Sequence, residues 1–151
     1  VLSQGRIRQQ GSVTAVVRQP TDDLVAHLVG YDNLLSGMPA EDGTAFWLRE
    51  KWRLPLPAGQ HGAASNCVCA FGSEALSLGA ARTAHSVALG EGIVVRMVED
   101  ARGGLAQLAC DGVNLRVRVE REHQWRIGDK ASVWLELAAV RYVEANGKGE
   151  Q

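Results

Sequence analysis

The chain lacks the features that mark a membrane-spanning, nucleic-acid-binding or disulfide-bonded protein. No segment approaches the ~18 consecutive apolar residues of a membrane helix, and no signal-peptide pattern opens the sequence. The 16 basic and 17 acidic side chains leave a formal net charge of −1, whereas a binder of phosphate backbones needs a basic excess. Cysteine occurs only at Cys67, Cys69 and Cys110. An odd number does not build a disulfide framework, which favours a reducing cytosol.

The sequence also lacks a phosphate-binding loop. No G-x-x-x-x-G-K-[ST] segment is present, so no ring of backbone amides is available to hold nucleotide phosphates. We therefore expect no ATPase activity and no nucleotide affinity in this chain. The first residue is Val rather than Met, which suggests a piece of a longer protein. A length of 151 residues suits one domain or two small ones.

The clearest pattern is a β-hairpin in residues 105–119. Asp111 and Gly112 stand between two alternating apolar runs, and both residue types accept the positive φ angles of a type I′ turn. The implied register puts seven apolar side chains on one face: Ala106, Leu108, Cys110, Val113, Leu115, Val117 and Val119. The opposite face carries Gln107, Asn114, Arg116 and Arg118. We expect the apolar face to be buried and the two arginines to be exposed.

Other short strands are predicted on both sides of this hairpin. They fall at residues 44–48, 52–56, 66–71, 76–78, 93–98, 131–137 and 140–143, with turns at 49–51 and 127–130. Pro55, Pro57 and residues 59–65 read as a loop. Short strands separated by turn signals at this spacing are typical of a β-barrel or a β-sandwich.

The N-terminal part has a different pattern. Residues 1–11 predict a strand, a turn and a second strand. Ser12 is a suitable N-cap for a short helix over residues 13–18, and Thr21 for a second helix that Gly30 would end. The apolar stripe of the second helix would consist of Leu24, Val25, Leu28 and Val29.

These N-terminal residues carry a family resemblance. Residues 1–11, V-L-S-Q-G-R-I-R-Q-Q-G, are similar to the pattern V-L-x-x-G-R-I-x-Q-x-G at the end of the ATP-hydrolysing domain of ABC transporters. Gly30, Asn33 and Gly37 match the G-x-x-N-x-x-x-G spacing of the exit from that domain. The remainder resembles the regulatory domain appended to importer ATPases, an OB-like region with a TOBE segment. That class serves maltose, sulfate, molybdate, spermidine and ferric iron importers.

The resemblance implies a fold and a function. The fold would be mainly all-β, an OB-like/TOBE β-barrel preceded by a short strand pair and two short helices. Residues 1–30 would be the tail end of a nucleotide-binding domain, and residues 31–151 the regulatory β domain. The chain would be a non-enzymatic regulatory and dimerisation module without a cofactor or metal, since ATP and Mg would bind to the parent's other domain. Its partners would be a second copy and the transporter's membrane subunits, on the cytoplasmic side, peripheral to the inner membrane.

An alternative of a different class is a TOBE protein that binds a small solute of the oxyanion type. Arg116 and Arg118 point the same way from one strand and are candidate anion ligands, against the alternative of an ordinary polar sheet face. Glu74 joins them because it alone matches the family's I-R-P-E segment, in F-G-S-E at residues 71–74. No S-A-R-N-x-L segment, which is typical of molybdate-binding TOBE domains, precedes Gly92.

A third alternative is a nucleic-acid binder of the OB type. Its stacking platforms would be the tryptophans, which are otherwise large core residues: Trp47, Trp52, Trp125 and Trp134. A steep loss of affinity with salt would separate such a binder from the other two classes, because phosphate contacts release counterions. We expect no nucleic-acid partner, because the sequence offers no basic groove.

Two further constellations have simpler interpretations. Cys67 and Cys69 form half of a zinc site at most, and as neighbours on one strand face they are expected to pack in the core. His61 beside Ser65 resembles a base and a nucleophile. No third group orients that histidine, so it is interpreted as a solvated loop residue.

Overall fold

The computed structural model describes residues 1–56, 67–120 and 125–145. Of the predicted loop, Pro55 is instead the last residue of a strand that begins at Trp52. The rest of that loop, Pro57 and residues 59–65 with His61 and Ser65, lies outside the described residues. Strands account for most of the regular structure, and the helices α1 (Val13–Arg18) and α2 (Asp23–Leu28) are short. The prediction of a mainly all-β chain with two short helices near its start is confirmed.

The described residues form strands with the following bounds: β1 (Leu2–Ser3), β2 (Arg6–Ile7), β3 (Asn33–Pro39), β4 (Ala45–Leu48), β5 (Trp52–Pro55), β6 (Cys67–Phe71), β7 (Leu76–Leu78), β8 (Ser86–Asp100), β9 (Gly103–Cys110), β10 (Val113–Val119), β11 (Lys130–Glu136) and β12 (Arg141–Glu144). The described residues also form two 3₁₀ turns, at Ser73–Ala75 and Leu137–Ala139. Most of these strands lie within a few residues of their predicted positions. The exceptions are β3, which was not predicted as a strand, and β8, which is much longer than the predicted segment 93–98.

The first helix begins as predicted, whereas the second does not. Ser12 caps α1 by accepting a hydrogen bond from the Ala15 amide at 3.2 Å. The N-cap of α2 is Asp22, so the prediction of Thr21 is wrong. The Asp22 carboxylate accepts from the Val25 amide at 2.9 Å and forms an ion pair with Arg8 at 2.6 Å. One carboxylate therefore caps the helix and ties it to the segment after β2, which Thr21 has no charge to do.

The buried patch of α2 is smaller than the predicted stripe. Val25 and Ala26 are fully buried, but Leu28 is 54% exposed. Ala26 belongs to a cluster with Val68 and Val143. A helix of 6 residues makes fewer than two turns, so only this patch reaches the sheet.

The end of α2 is a Schellman motif. Gly30 has φ +107° and donates to the His27 carbonyl at 3.2 Å, while the Tyr31 amide donates to Ala26 at 3.0 Å. Glycine accepts the left-handed conformation that this ending requires. The predicted C′ position of Gly30 is confirmed, and the chain passes directly into β3 at the buried Asn33.

The contacts within the chain divide it into two compact units. The first consists of Val1–Ala70 with Arg141–Gln151, and the second of Phe71–Val140. The first unit contains the β1–β2 pair and a five-stranded sheet in the order β12-β6-β3-β4-β5. In this sheet the Phe46 and Tyr142 rings meet edge to face, with centroids 5.0 Å apart. The assignment of residues 1–30 to the tail of a nucleotide-binding domain concerns their origin and stays a prediction.

The second unit is a five-stranded antiparallel sheet in the order β10-β9-β8-β11-β7. Its two edge strands, β7 and β10, lie near each other, so the sheet curls toward a barrel. The hairpin register is confirmed: Cys110 pairs with Val113, Leu108 with Leu115, and Ala106 with Val117. All six side chains are buried, together with Val119.

No helix among the described residues is long and apolar enough to cross a membrane.

Candidate anion-binding site

Arg116 and Arg118 lie on β10, on the face opposite the buried valines. Arg116 is exposed, as predicted. Arg118 is half-buried and forms an ion pair with Asp100 at 2.8 Å, so its predicted exposure is wrong. The Arg102 backbone amide and the Arg118 guanidinium lower the pKa of Asp100. The carboxylate of Asp100 therefore remains ionised opposite Arg118, and this pair marks one end of the face.

The centre of the same face is a row of three polar side chains. Gln107 pairs with Arg116 on one side and with Arg96 of β8 on the other. Residues directly opposite on neighbouring strands have their side chains on the same face of the sheet. Two strand spacings separate the arginines, about 10 Å between backbones. Long guanidinium side chains at that separation can both reach an anion held above Gln107.

Arg96 joins this face because β8 contains a bulge. The register of β8 against β9 shifts between Val94 and Arg96, which leaves Val95 as the extra residue. Val94 is 1% exposed and faces the core, whereas Arg96 is exposed on the opposite face. Without a bulge, residues 94 and 96 would lie on one face. Bulged strands re-aim single side chains, and here the re-aimed side chain carries a charge.

The two neighbouring rows differ in polarity from the arginine row. On one side Ala109 pairs with Ile93 and with Asn114, and Lys130 pairs with Ile93 from β11. On the other side the row consists of Val98, Leu105 and Arg118. Ile93 and Val98 are 40% and 42% exposed. The arginine row is therefore bordered on both sides by rows that mix apolar and polar side chains.

Glu74 lies in the 3₁₀ turn that follows β6, and this turn lies against β10. Its side chain is exposed and lies 3.4 Å from the Ser73 hydroxyl, and its backbone carbonyl accepts from Arg82. These contacts hold the turn before β7. These contacts lie within the second unit, and they do not indicate that Glu74 binds a ligand.

The predicted structural residues have defined conformations. Asp111 and Gly112 have φ of +50° and +80°, the two left-handed residues of a type I′ turn. A Cβ atom on Gly37 would come within 2.2 Å of the Phe46 ring and 2.5 Å of the Trp47 carbonyl. Gly37 thus leaves room for the ring that packs over it.

The cysteines and tryptophans have mostly structural positions. All three thiols are buried, as the packing interpretation predicted, and burial raises the pKa of the Cys67 and Cys69 thiols. Within the described parts of the chain, no group of three or more His, Cys, Asp or Glu side chains is arranged to hold a metal ion.

Trp52 is in the core, but Trp47 is 38% exposed, so the core interpretation is wrong for Trp47. Trp125 and Trp134 are half-buried.

Of the comparisons with known proteins, the one with solved structures gives matches. No family model matches the chain, and no curated protein sequence matches it. Among solved structures, 36 chains are similar. One is the cytoplasmic molybdate-binding protein ModG with molybdate bound, at a TM-score of 0.54 and 15% identity over 75% of this chain and 96% of that chain. The fold is OB/TOBE-like. This was the fold that the sequence predicted.

Proposed function

We propose that this chain is a non-catalytic binding module whose second unit holds a small tetrahedral oxyanion on the arginine row. The observation that carries the proposal is the pairing of Arg96 and Arg116 with Gln107 between them. Guanidinium groups donate two parallel hydrogen bonds to an oxyanion, and an amide adds a neutral donor. The ModG neighbour binds molybdate, which supports the same class of ligand.

The charge distribution favours a dianion. Arg96 and Arg116 supply two positive charges at the row, and the carboxylate of Asp100 is engaged with Arg118 rather than with the row. The anion would bind without dehydrating a deep cavity, because the face is open. Selectivity would then depend on the distance between the two guanidinium groups.

The test is calorimetry with the anions themselves. Molybdate, tungstate and sulfate are titrated into the protein at constant ionic strength, with chloride as the reference. We expect saturable binding, weakened about tenfold or more in Arg96→Gln and in Arg116→Gln, because each loses a charged hydrogen-bond pair. Arg126→Gln, the same charge change at an exposed turn before β11, should bind like wild type. Equal weakening of anion binding in all three variants would mean that only the net charge of the protein matters, and this would contradict an anion site on the arginine row.

A second proposal concerns the setting of this module. We infer that it is the regulatory region of an ABC importer ATPase, because residues 1–30 contain the strand pair and the two short helices that the resemblance implies. They form a hairpin, two capped helices and a glycine-ended exit into β3. ATP and Mg would bind to the parent's other domain. The module would lie on the cytoplasmic face of the inner membrane, against the transporter's membrane subunits and a second copy of itself.

Two observations test this setting. The coding sequence upstream of Val1 should contain a phosphate-binding loop; a stop codon in frame directly before Val1 would contradict the parent. The chain itself should bind no ATP. Calorimetry tests this expectation by titrating ATP with magnesium into the protein. Saturable heat of binding at micromolar ATP would contradict the assignment of nucleotide binding to another domain.

A further inference from the structure

A second surface with a different chemistry lies in the first unit, on the solvent side of β3, β4 and β5. Met38 pairs with Trp47, and Trp47 pairs with Arg53. These three side chains therefore form one row across three strands. Met38 is 55% exposed and Trp47 is 38% exposed, whereas Phe46, Leu48 and Leu54 on the other face are fully buried. The Trp47 indole and the Met38 thioether are therefore not part of the core of this sheet.

The three side chains of the row line an open groove of about 700 Å³. That volume is in the usual range of small-molecule sites. The groove is also lined by three carboxylates, Glu41, Asp42 and Glu50, and Arg53 is its one lining cation among the described residues. Three negative charges and one positive charge leave the groove with a formal charge of −2. An anion would be repelled from it.

The charges of the groove are held in place by the turn between β3 and β4. Asp42 accepts hydrogen bonds from the Thr44 amide at 3.0 Å and from the Thr44 hydroxyl at 2.7 Å. The Arg53 guanidinium donates to the same hydroxyl at 3.2 Å. Arg53 is thus directed toward residues 42–44. Asp42 stays ionised at neutral pH, since its pKa is lowered by the Thr44 amide.

We propose that this groove binds a small organic cation with an alkylated ammonium group. The face of an indole attracts such a cation through its quadrupole. The polarizable thioether of Met38 lies beside the indole and contacts alkyl groups well. Carboxylates around the rim supply the compensating charge. The site is separate from the arginine row and has the opposite preference for charge.

The experiment uses two probes that differ only in charge. Choline and its neutral isostere 3,3-dimethylbutan-1-ol have the same shape. Each is titrated into ¹⁵N-labelled protein, and the indole N–H signals of the tryptophans are followed. We expect choline to shift the Trp47 signal saturably and the neutral alcohol to leave it unchanged. A response to both probes, or to neither, would overturn the proposal.

Variants separate the groove from the rest of the surface. Trp47→Leu has no indole signal at residue 47, so the methyl signal of choline is followed instead, and we expect it not to shift. Glu50→Gln should weaken choline binding about threefold to tenfold, as expected for one contact of this strength. Glu144→Gln makes the same charge change on β12, at the opposite edge of the same sheet, and should bind like wild type. If Trp47→Leu does not fold, Glu50→Gln still decides the matter. Unchanged affinity in Glu50→Gln, or equal loss in Glu144→Gln, contradicts the site.

Discussion

Arg96 and Arg116 come from strands that are not neighbours in the sheet, yet both pair with Gln107 of the strand between them. Their side chains stand on the same face of the curled sheet, on either side of one amide. This relationship depends on the bulge at Val95, which turns Arg96 away from the core. It is the structural basis for proposing an anion site in a chain whose overall charge is near zero.

The hairpin that presents Arg116 depends on its turn. Gly112 has φ +80°, where a residue with a Cβ costs about 1–2 kcal/mol. We expect Gly112→Val to lower the free energy of unfolding by at least that amount, measured from urea denaturation. Asp111→Asn should change it little, because asparagine accepts the same turn position. A Gly112→Val protein as stable as wild type would contradict the type I′ turn.

The three thiols should be unreactive in the folded protein. Cys67, Cys69 and Cys110 are each no more than 5% exposed, and burial raises the pKa of the first two. A thiol must be ionised and accessible to react. At pH 8 we expect no reaction with a disulfide reagent in buffer and reaction of all three thiols in urea. Ser132→Cys, at an exposed position on β11, should add one immediately reactive thiol. Rapid reaction of the native wild-type protein would contradict the packing.

Glu136 should make the second unit sensitive to acid. Its carboxylate accepts from the Thr83 hydroxyl at 2.6 Å and the Ser86 hydroxyl at 3.2 Å. The Thr83 bond above all lowers the pKa of Glu136 below its ordinary value of 4.5. A carboxyl group with a lowered folded pKa stabilises the fold above its unfolded pKa, and this contribution is lost as the pH falls through the folded pKa.

Thermal melts at pH 7 and pH 3 measure this contribution. Glu136→Gln should melt lower than wild type at pH 7, and this difference should be smaller at pH 3. Glu91→Gln, an exposed position on β8, serves as the control and should match wild type at pH 7. If Glu136→Gln loses as much at pH 3 as at pH 7, the ionised carboxylate is not the stabilising group.

Self-association follows from the proposed setting. The β1–β2 pair exposes Leu2 by 71% and Ile7 by 63%, and unpaired strand edges are templates for another copy. Sedimentation at tens of micromolar should show a dimer, for which a two-fold arrangement is expected. A dimer through the regulatory domain survives deletion of residues 1–11, whereas an edge-paired dimer does not. Leu2→Lys with Ile7→Lys repeats the test with Arg8 and its ion pair to Asp22 retained. A monomer would contradict self-association.

The sequence predicted those parts of the fold in which turn chemistry and alternation agree. The hairpin at residues 105–119 is the best case, because Asp-Gly and seven apolar positions imply the same register. β3 was missed because Gly37 and Pro39 are unfavourable in strands and its apolar residues are not β-branched. The strand forms nonetheless, because Gly37 leaves room for the Phe46 ring.

The site was only half predictable for a related reason. Arg116 and Arg118 are visible as polar positions of an alternating strand. Arg96 is not, because strict alternation places it with Val94, which is buried. The bulge that separates them is a property of the pairing between β8 and β9 rather than of either strand alone. Likewise the exposure of Trp47 depends on its neighbours in the sheet.

The most direct test of the central claim is the position of a bound anion. Sulfate is titrated into ¹⁵N-labelled protein at constant ionic strength, and the side-chain amide of Gln107 is followed with the guanidinium signals of Arg96 and Arg116. The account predicts that these three groups shift most and share one saturation curve, and that Arg96→Gln moves the saturation of the Gln107 shift to about tenfold or more higher sulfate concentration. Largest shifts elsewhere in the chain, or shifts that grow linearly without saturation, would contradict an anion site on the arginine row.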